Sequence, residues 1–156
     1  MPEQTYLNWP FLKDSHRTLA VDFRKWADRE IAPLAEEEPS DEAGLDALAR
    51  ELVRRLADGG WLRYSVPAPW GGIYETLDVR ALCIMRETLA QYSGMADFSF
   101  VMQGLGTGPI SLFGSEEIRS KYLPDVATGK RIAAFALSEP ESGSDVAAMT
   151  TNARLD

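Results

Sequence analysis

The sequence predicts a mainly α fold: a multi-helical domain of about five helices over residues 1–130, followed over 131–156 by the first strands of a β domain that is incomplete in this chain. Three observations carry this expectation. Apolar residues recur at helical spacing through most of the chain. Capping residues, glycines and prolines punctuate those runs at helix-length intervals. After Lys130 the pattern shortens to compact apolar runs of strand length. With 156 residues, 45% apolar and 26% charged, the chain has the material for one ordinary core.

The first helix is expected from Asp14 to Ile31, where Leu19, Phe23, Trp26 and Ala27 form one apolar stripe. Asp14 or Ser15 would start it and Pro33 would stop it. A second helix runs from Asp41, a plausible N-cap, with Leu45, Leu48, Leu52 and Leu56 on one face, until Gly59-Gly60 ends it. These two helices are expected to pack together. The stretch VPAPWGGIYET, Val66 to Thr76, is turn chemistry. A third helix, Thr76 to Tyr92, carries Leu82, Met85 and Leu89 on one face and is expected to bury Cys83 as an inert thiol.

Phe98 to Ser115 carries no charge and is long enough for a membrane span. Its glycines, Pro109 and acidic flanks predict instead a helix buried in a soluble protein, kinked at Pro109. Ser115 with Glu116 and Glu117 starts a short fifth helix ending near Tyr122, where acids suit the positive end of the helix dipole. Thr128-Gly129-Lys130 turns the chain. Strands are expected at Ile132–Leu137 and Thr150–Leu155. Because two strands leave unpaired edges, the chain is expected to stop inside its second structural unit.

The net charge of −8, with an acidic run at Glu36-Glu37-Glu38, disfavours nucleic acid and anionic membrane surfaces as partners. A single cysteine permits no internal disulfide, and MPEQTYLNWPFL lacks the features of a secretory leader, so a cytoplasmic location is expected.

The stretch FALSEPESGSDVAAM, Phe135 to Met149, holds the candidate chemistry. Leu137 and Ser138, at the end of a strand, would offer backbone N–H groups and a hydroxyl to the edge of a flat heteroaromatic ring. Gly143 and Ser144 would offer amides and a hydroxyl to a phosphate without net positive charge. The same residues also read as a plain turn. A ring at one end and a phosphate at the other point to a nucleotide-like cofactor.

This block closely resembles the signature of the flavin-dependent acyl-CoA dehydrogenase family: an apolar strand, Ser or Thr, Glu-Pro, two variable residues, Gly-Ser-Asp. Ala32-Pro33, VPAPWGG and FGSEEIRSKYLPDVATGK agree in order and spacing, and the likeness runs from about Ser15 to Asp156. It implies the N-terminal helical domain and the start of a middle, β-barrel-like domain, with FAD as cofactor. Phe135, Ala136, Leu137 and Ser138 would lie against the flavin, the Ser138 hydroxyl and amide near N5 and O4. Gly143 and Ser144 would meet the pyrophosphate. Ser144 would also touch the coenzyme A part of the substrate, and Gly104 and Gly108 would leave room for its acyl chain.

The family reaction removes the α proton of an acyl-CoA with a carboxylate base while the β hydrogen leaves as hydride to flavin N5. That base normally lies in a later domain, so no catalytic residue and no metal site is assigned here, and the chain alone is expected to be inactive. The implied partners are an acyl-CoA, an electron-transferring flavoprotein and, for the complete enzyme, further copies of itself. Alternatives are an acyl-CoA oxidase or flavin monooxygenase on the same scaffold, or a non-catalytic subunit docking on a larger flavoprotein. Two departures stand out. Ser138 replaces the more frequent Thr, and Glu141-Ser142 replaces Gly-Ala, bringing a carboxylate near the pyrophosphate.

The run GLGTG imitates a dinucleotide fingerprint, but Pro109 occupies its last glycine position and no strand precedes it. Its glycines read either as a pocket wall or as close helix packing. His16 is expected to be solvated or capping, and Trp26, Trp61 and Trp70 to pack. Arg119, Lys121, Lys130 and Arg131 are expected to form a solvated basic face, or to meet coenzyme A phosphates.

Overall fold

A computed structural model of the chain describes residues 5–36 and 39–154. It contains α1 (Asp14–Glu30), α2 (Ala32–Ala35), α3 (Glu42–Asp58), α4 (Val79–Ala90), α5 (Gly94–Phe113) and α6 (Glu116–Ala127), with 3-10 turns at Thr5–Asn8 before α1, at Trp61–Ser65 and Ala68–Trp70 between α3 and α4, and at Val146–Ala148 after α6. Helix α1 packs on α4, α4 on α5, and both α3 and α6 on α5. Glu37 and Glu38 of the acidic run, and Leu155 of the expected second strand, lie outside the described residues.

The N-cap of α1 is Lys13, one residue before the expected caps, and its backbone N–H donates to His16 Nδ1 at 2.9 Å. That fixes the proton on Nε2, which lies 3.1 Å from Asp78 Oδ2. His16 therefore caps, as one of the two expectations had it, but it is wholly buried rather than solvated. Asp78 in turn caps α4 by accepting from the Arg80 amide at 3.0 Å, so one imidazole ties together the starts of α1 and α4. The stripe Leu19, Phe23, Trp26 and Ala27 is buried as expected. Pro33 sits in the first turn of α2, where its missing N–H leaves no intrahelical bond unmade.

Helix α3 begins as expected: Asp41 Oδ1 accepts from the Gly44 amide at 2.9 Å. It buries Leu52, Val53 and Leu56, with Leu45 and Leu48 half-buried. It ends at Gly59-Gly60, where Gly60 takes φ of 75°, a left-handed value that a side chain would resist. The next turn, Trp61–Ser65, sets Trp61 edge-on to Phe23 with ring centroids 4.8 Å apart and tilted against Trp26 at 5.7 Å. Burial of each large side chain in this cluster contributes about 1.5–3 kcal/mol. Trp70 packs in a smaller cluster with Val66, Leu123 and Ala127, so Trp26, Trp61 and Trp70 pack as expected.

Helix α4 starts at Val79 rather than Thr76 because Asp78 caps it. Cys83 corrects the sequence reading: it is exposed, since Ala81, Ile84, Met85, Thr88 and Leu89 form the inward face and position 83 falls opposite. It borders a groove walled by Tyr6, Trp9 and Phe11 of the N-terminal segment, which is tied to α4 through the Tyr6 hydroxyl and Glu87.

Helix α5 begins at Gly94, capped by the Ser93 hydroxyl, and passes through Pro109 to Phe113. Its burial also differs from expectation. The buried stripe is Ala96, Ser99, Phe100, Gln103 and Thr107, while Phe98, Leu105, Leu112 and Phe113 are exposed. Helix α6 runs past Tyr122 to Ala127 because Leu123, Val126 and Ala127 are buried beyond it.

Neither expected strand forms among the described residues. Residues 132–138 and 150–154 carry no ladder, and the one β-bridge among the described residues joins Glu139 and Ser142. A strand is defined by its partner, and an apolar run of strand length without one remains a single extended segment.

Candidate functional site

Two contacts with α5 fix the chain as it leaves α6. The Ala133 amide donates to Gln103 Oε1 at 2.9 Å, and Gln103 Nε2 donates to the Ser99 carbonyl at 2.9 Å. Gln103 is only 1% exposed, so a buried side-chain amide holds the segment. Three residues along the helix, a Cβ on Gly106 would lie 2.7 Å from the Ala134 carbonyl oxygen and 2.9 Å from Ala133 Cβ. Glycine is required there by the close approach of backbone. Beyond these pins, residues 134–138 form no backbone hydrogen bond among the described residues.

Phe135 borders a hollow of about 840 Å³ together with Arg50, Val53, Phe98, Met102 and Lys130. Ser138, Gly143 and Ser144 are exposed and do not line it, whereas Leu137 is half-buried. The site residues read from the sequence thus divide into Phe135 at the hollow and Ser138 to Ser144 on an open turn.

That turn has its own architecture. Glu139 and Ser142 exchange backbone bonds of 2.7 and 3.2 Å. The buried Ser142 hydroxyl donates to the Asp145 carbonyl at 2.7 Å, and Asp145 Oδ1 accepts from the Ala147 amide at 3.2 Å. The Glu139 carboxylate accepts from the Thr150 and Thr151 amides at 2.9 and 2.8 Å and from the Thr150 hydroxyl at 3.2 Å. These donors, the Thr150 amide foremost, lower its pKa from 4.5 to about 2. Glu141 points to no such brace and is exposed.

The three glycines of GLGTG have three different surroundings. Gly104 borders a small hollow of about 220 Å³ with Phe100 and Leu105, Gly106 is packed as above, and a Cβ on Gly108 would meet nothing within 4 Å. Neither described hollow joins Gly104 or Gly108 to Ser144. Of the basic residues, Arg119 lies 5.2 Å from the Trp70 ring centre and Arg131 pairs with Asp125 at 2.9 Å, while Lys130 borders the larger hollow. Among the described residues no helix is long and apolar enough to cross a membrane, and no group of three or more His, Cys, Asp or Glu could hold a metal ion.

Gln103, Glu139 and Ser142 escaped the sequence reading. Ser142 with Asp145 carries a local turn signal, serine followed three residues later by an acid. Gln103 and Glu139 act on partners 30 and 11–12 residues away, with no motif to announce them.

Residues 13–130 match the family described as acyl-CoA dehydrogenase, N-terminal domain. The chain is 36% identical over 148 residues to the probable acyl-CoA dehydrogenase fadE25 of Mycobacterium leprae, covering 93% of this chain and 36% of that protein. It is 33% identical over 148 residues to the human mitochondrial short-chain specific acyl-CoA dehydrogenase, covering 93% and 34%. A crystal structure of an acyl-CoA dehydrogenase complexed with FAD from Bacillus anthracis superposes with a TM-score of 0.71 at 33% identity, covering 89% of this chain and 23% of that one. The chain spans about a third of the length of the curated relatives it matches. With its helices, its turn motif and these similarities in agreement, the chain belongs to the acyl-CoA dehydrogenase family, and residues 13–130 are of that family's N-terminal domain type.

Proposed function

We propose that this chain supplies the helical N-terminal part, residues 1–130, and the opening of the middle β domain, residues 131–156, of an FAD-dependent acyl-CoA dehydrogenase. The observation that carries the proposal is the segment 133–138, pinned to α5 by Gln103 at Ala133 and by the close approach of Gly106 at Ala133 and Ala134, yet leaving the amides and carbonyls of 134–138 unengaged among the described residues. Such a segment can bond the edge of a flat ring and add to a sheet. The exposed α5 residues Phe98, Leu105 and Leu112 support the same reading, because a further domain would cover them.

The residues fit a flavin and its diphosphate in kind. The donors on offer are neutral amides and hydroxyls, Gly143 leaves open space above its backbone, and the Glu139 carboxylate is already occupied by Thr150 and Thr151. Phe135, Ala136, Leu137 and Ser138 would hold the ring, with the Ser138 hydroxyl and amide at the N5 and O4 edge. Gly143 and Ser144 would hold the pyrophosphate. When bound, the flavin supplies a hydride acceptor for the β hydrogen of an acyl-CoA. Ser144 would also touch the coenzyme A portion, and Gly104 and Gly108 would leave room along α5 for the acyl chain.

No acid of this chain is assigned to take the α proton. That base, the remaining strands and the contacts between copies would come from the part of the enzyme this chain does not span, and electrons would pass to an electron-transferring flavoprotein. Incubation of the purified chain with FAD, a series of acyl-CoA esters and an artificial electron acceptor is expected to give no turnover above background. Sustained turnover would show that a base is present in this chain and overturn the division of labour.

A further inference from the structure

The small hollow beside Gly104 is a site with unusual contents. It lies between the Trp61–Ser65 turn, α4 and α5, and Ser65, Leu77, Leu82, Phe100, Gly104 and Leu105 line its about 220 Å³. Arg86 reaches its edge, but both its Nε and Nη2 are held by the Asp97 carboxylate at 2.9 and 2.8 Å, so it brings no free charge. Ser65 is 1% exposed and its hydroxyl has no hydrogen-bond partner among the described residues. A buried hydroxyl left this way opposes folding, and a guest able to bond it would relieve that penalty.

Gly104 adds an independent observation. A Cβ there would stand 3.8 Å from Ser65 Cβ and 4.0 Å from Ser65 Oγ, ordinary contacts, so packing does not require glycine at this position. Glycine inside a helix is unfavourable relative to alanine, and what its absent side chain preserves here is the volume of the hollow.

We propose that this hollow seats a compact, uncharged group of ring size bearing one neutral hydrogen-bonding atom, a hydroxyl or carbonyl, that pairs with Ser65. Apolar cavities of about 150 Å³ already take up benzene, so the space here admits a six-membered ring with one substituent. A carboxylate or ammonium is excluded, since no free counter-charge faces it. Taking the guest as the far end of the acyl chain rests on the function proposed above, through Gly104. On that footing the substrate class is an acyl thioester ending in a ring or compact branch with one neutral polar atom, in preference to a straight alkyl or an ω-carboxylate tail.

The test is a titration of the isotope-labelled chain with benzene, phenol and benzoate, followed by NMR without flavin or thioester. Benzene and phenol are expected to cause saturable shifts confined to Leu82, Phe100, Gly104 and Leu105, phenol binding about five- to tenfold more tightly, and benzoate none. Ser65→Ala should remove the advantage of phenol and leave benzene unchanged. Gly104→Leu should abolish both, and Gly104→Ala, which makes only ordinary contacts, should weaken both if the leucine variant does not fold. Absence of saturable shifts around Gly104 overturns the pocket, and a phenol advantage that survives Ser65→Ala overturns the role of the hydroxyl. A chain that takes up phenol here but makes no flavin contact keeps the pocket and loses only its assignment to the acyl chain.

Discussion

Glu139 shows most clearly what a single residue contributes that its motif does not announce. Its carboxylate gathers the Thr150 and Thr151 amides, closing the turn that presents Gly143 and Ser144. Its pKa is depressed from 4.5 to about 2, so the brace is complete above the ordinary carboxylate value and is lost as pH falls through about 2. The amide resonances of Thr150 and Thr151 are expected to titrate together with a midpoint near that lower value, and Glu139→Gln should speed their hydrogen exchange at neutral pH. A midpoint near 4.5 would contradict the brace. Gln103 is the second such residue. Gln103→Ala leaves the Ala133 amide without its acceptor and is expected to lower stability by about 1–3 kcal/mol, with faster exchange at Ala133 as the specific sign. At this scale the turn that carries Gly143 and Ser144 was legible because the chemistry of small hydroxyl-bearing turns is local. Gln103 and Glu139 were not, because their partners are distant in sequence.

At the scale of elements, caps and stripes could be read and helix faces could not always be. Asp41 and Ser115 cap as their residue types direct, and the stripe of α1 is buried as its spacing directs. Helix α5 defeats that logic because it carries a single charged residue, Asp97, and both of its faces look apolar in sequence. Only packing decides that Gln103 turns inward and Phe98 outward. Cys83 failed for a related reason: its neighbours Leu82 and Ile84 are apolar, but one step along a helix is a rotation of about 100°. The glycines of α5 allow a direct comparison. Gly106→Ala pushes a methyl group into the Ala133-Ala134 backbone and is expected to lower the melting temperature by about 3–8 °C, whereas Gly108→Ala meets nothing and should raise it by about 2 °C. Thermal unfolding of the two variants checks both signs. The strands were misread because an extended apolar run specifies only half of a ladder, and its partner is absent among the described residues.

At the scale of the whole molecule, the family and its helical architecture were legible because caps, turns and the Glu-Pro-x-x-Gly-Ser-Asp block occur in one fixed order along the chain. The central proposal is that the segment from Phe135 to Ser144, whose approach is pinned to α5 at Ala133 and Ala134, is one side of a flavin seat. The most direct measurement is a titration of the labelled chain with FAD to millimolar concentration, monitored at every backbone amide. Saturable shifts are expected at Leu137, Ser138, Gly143 and Ser144, reduced by Ser138→Ala, with the amides of α1 and α3 unmoved. Shifts absent from those four amides, or gathered instead on the helical body, would contradict the proposal.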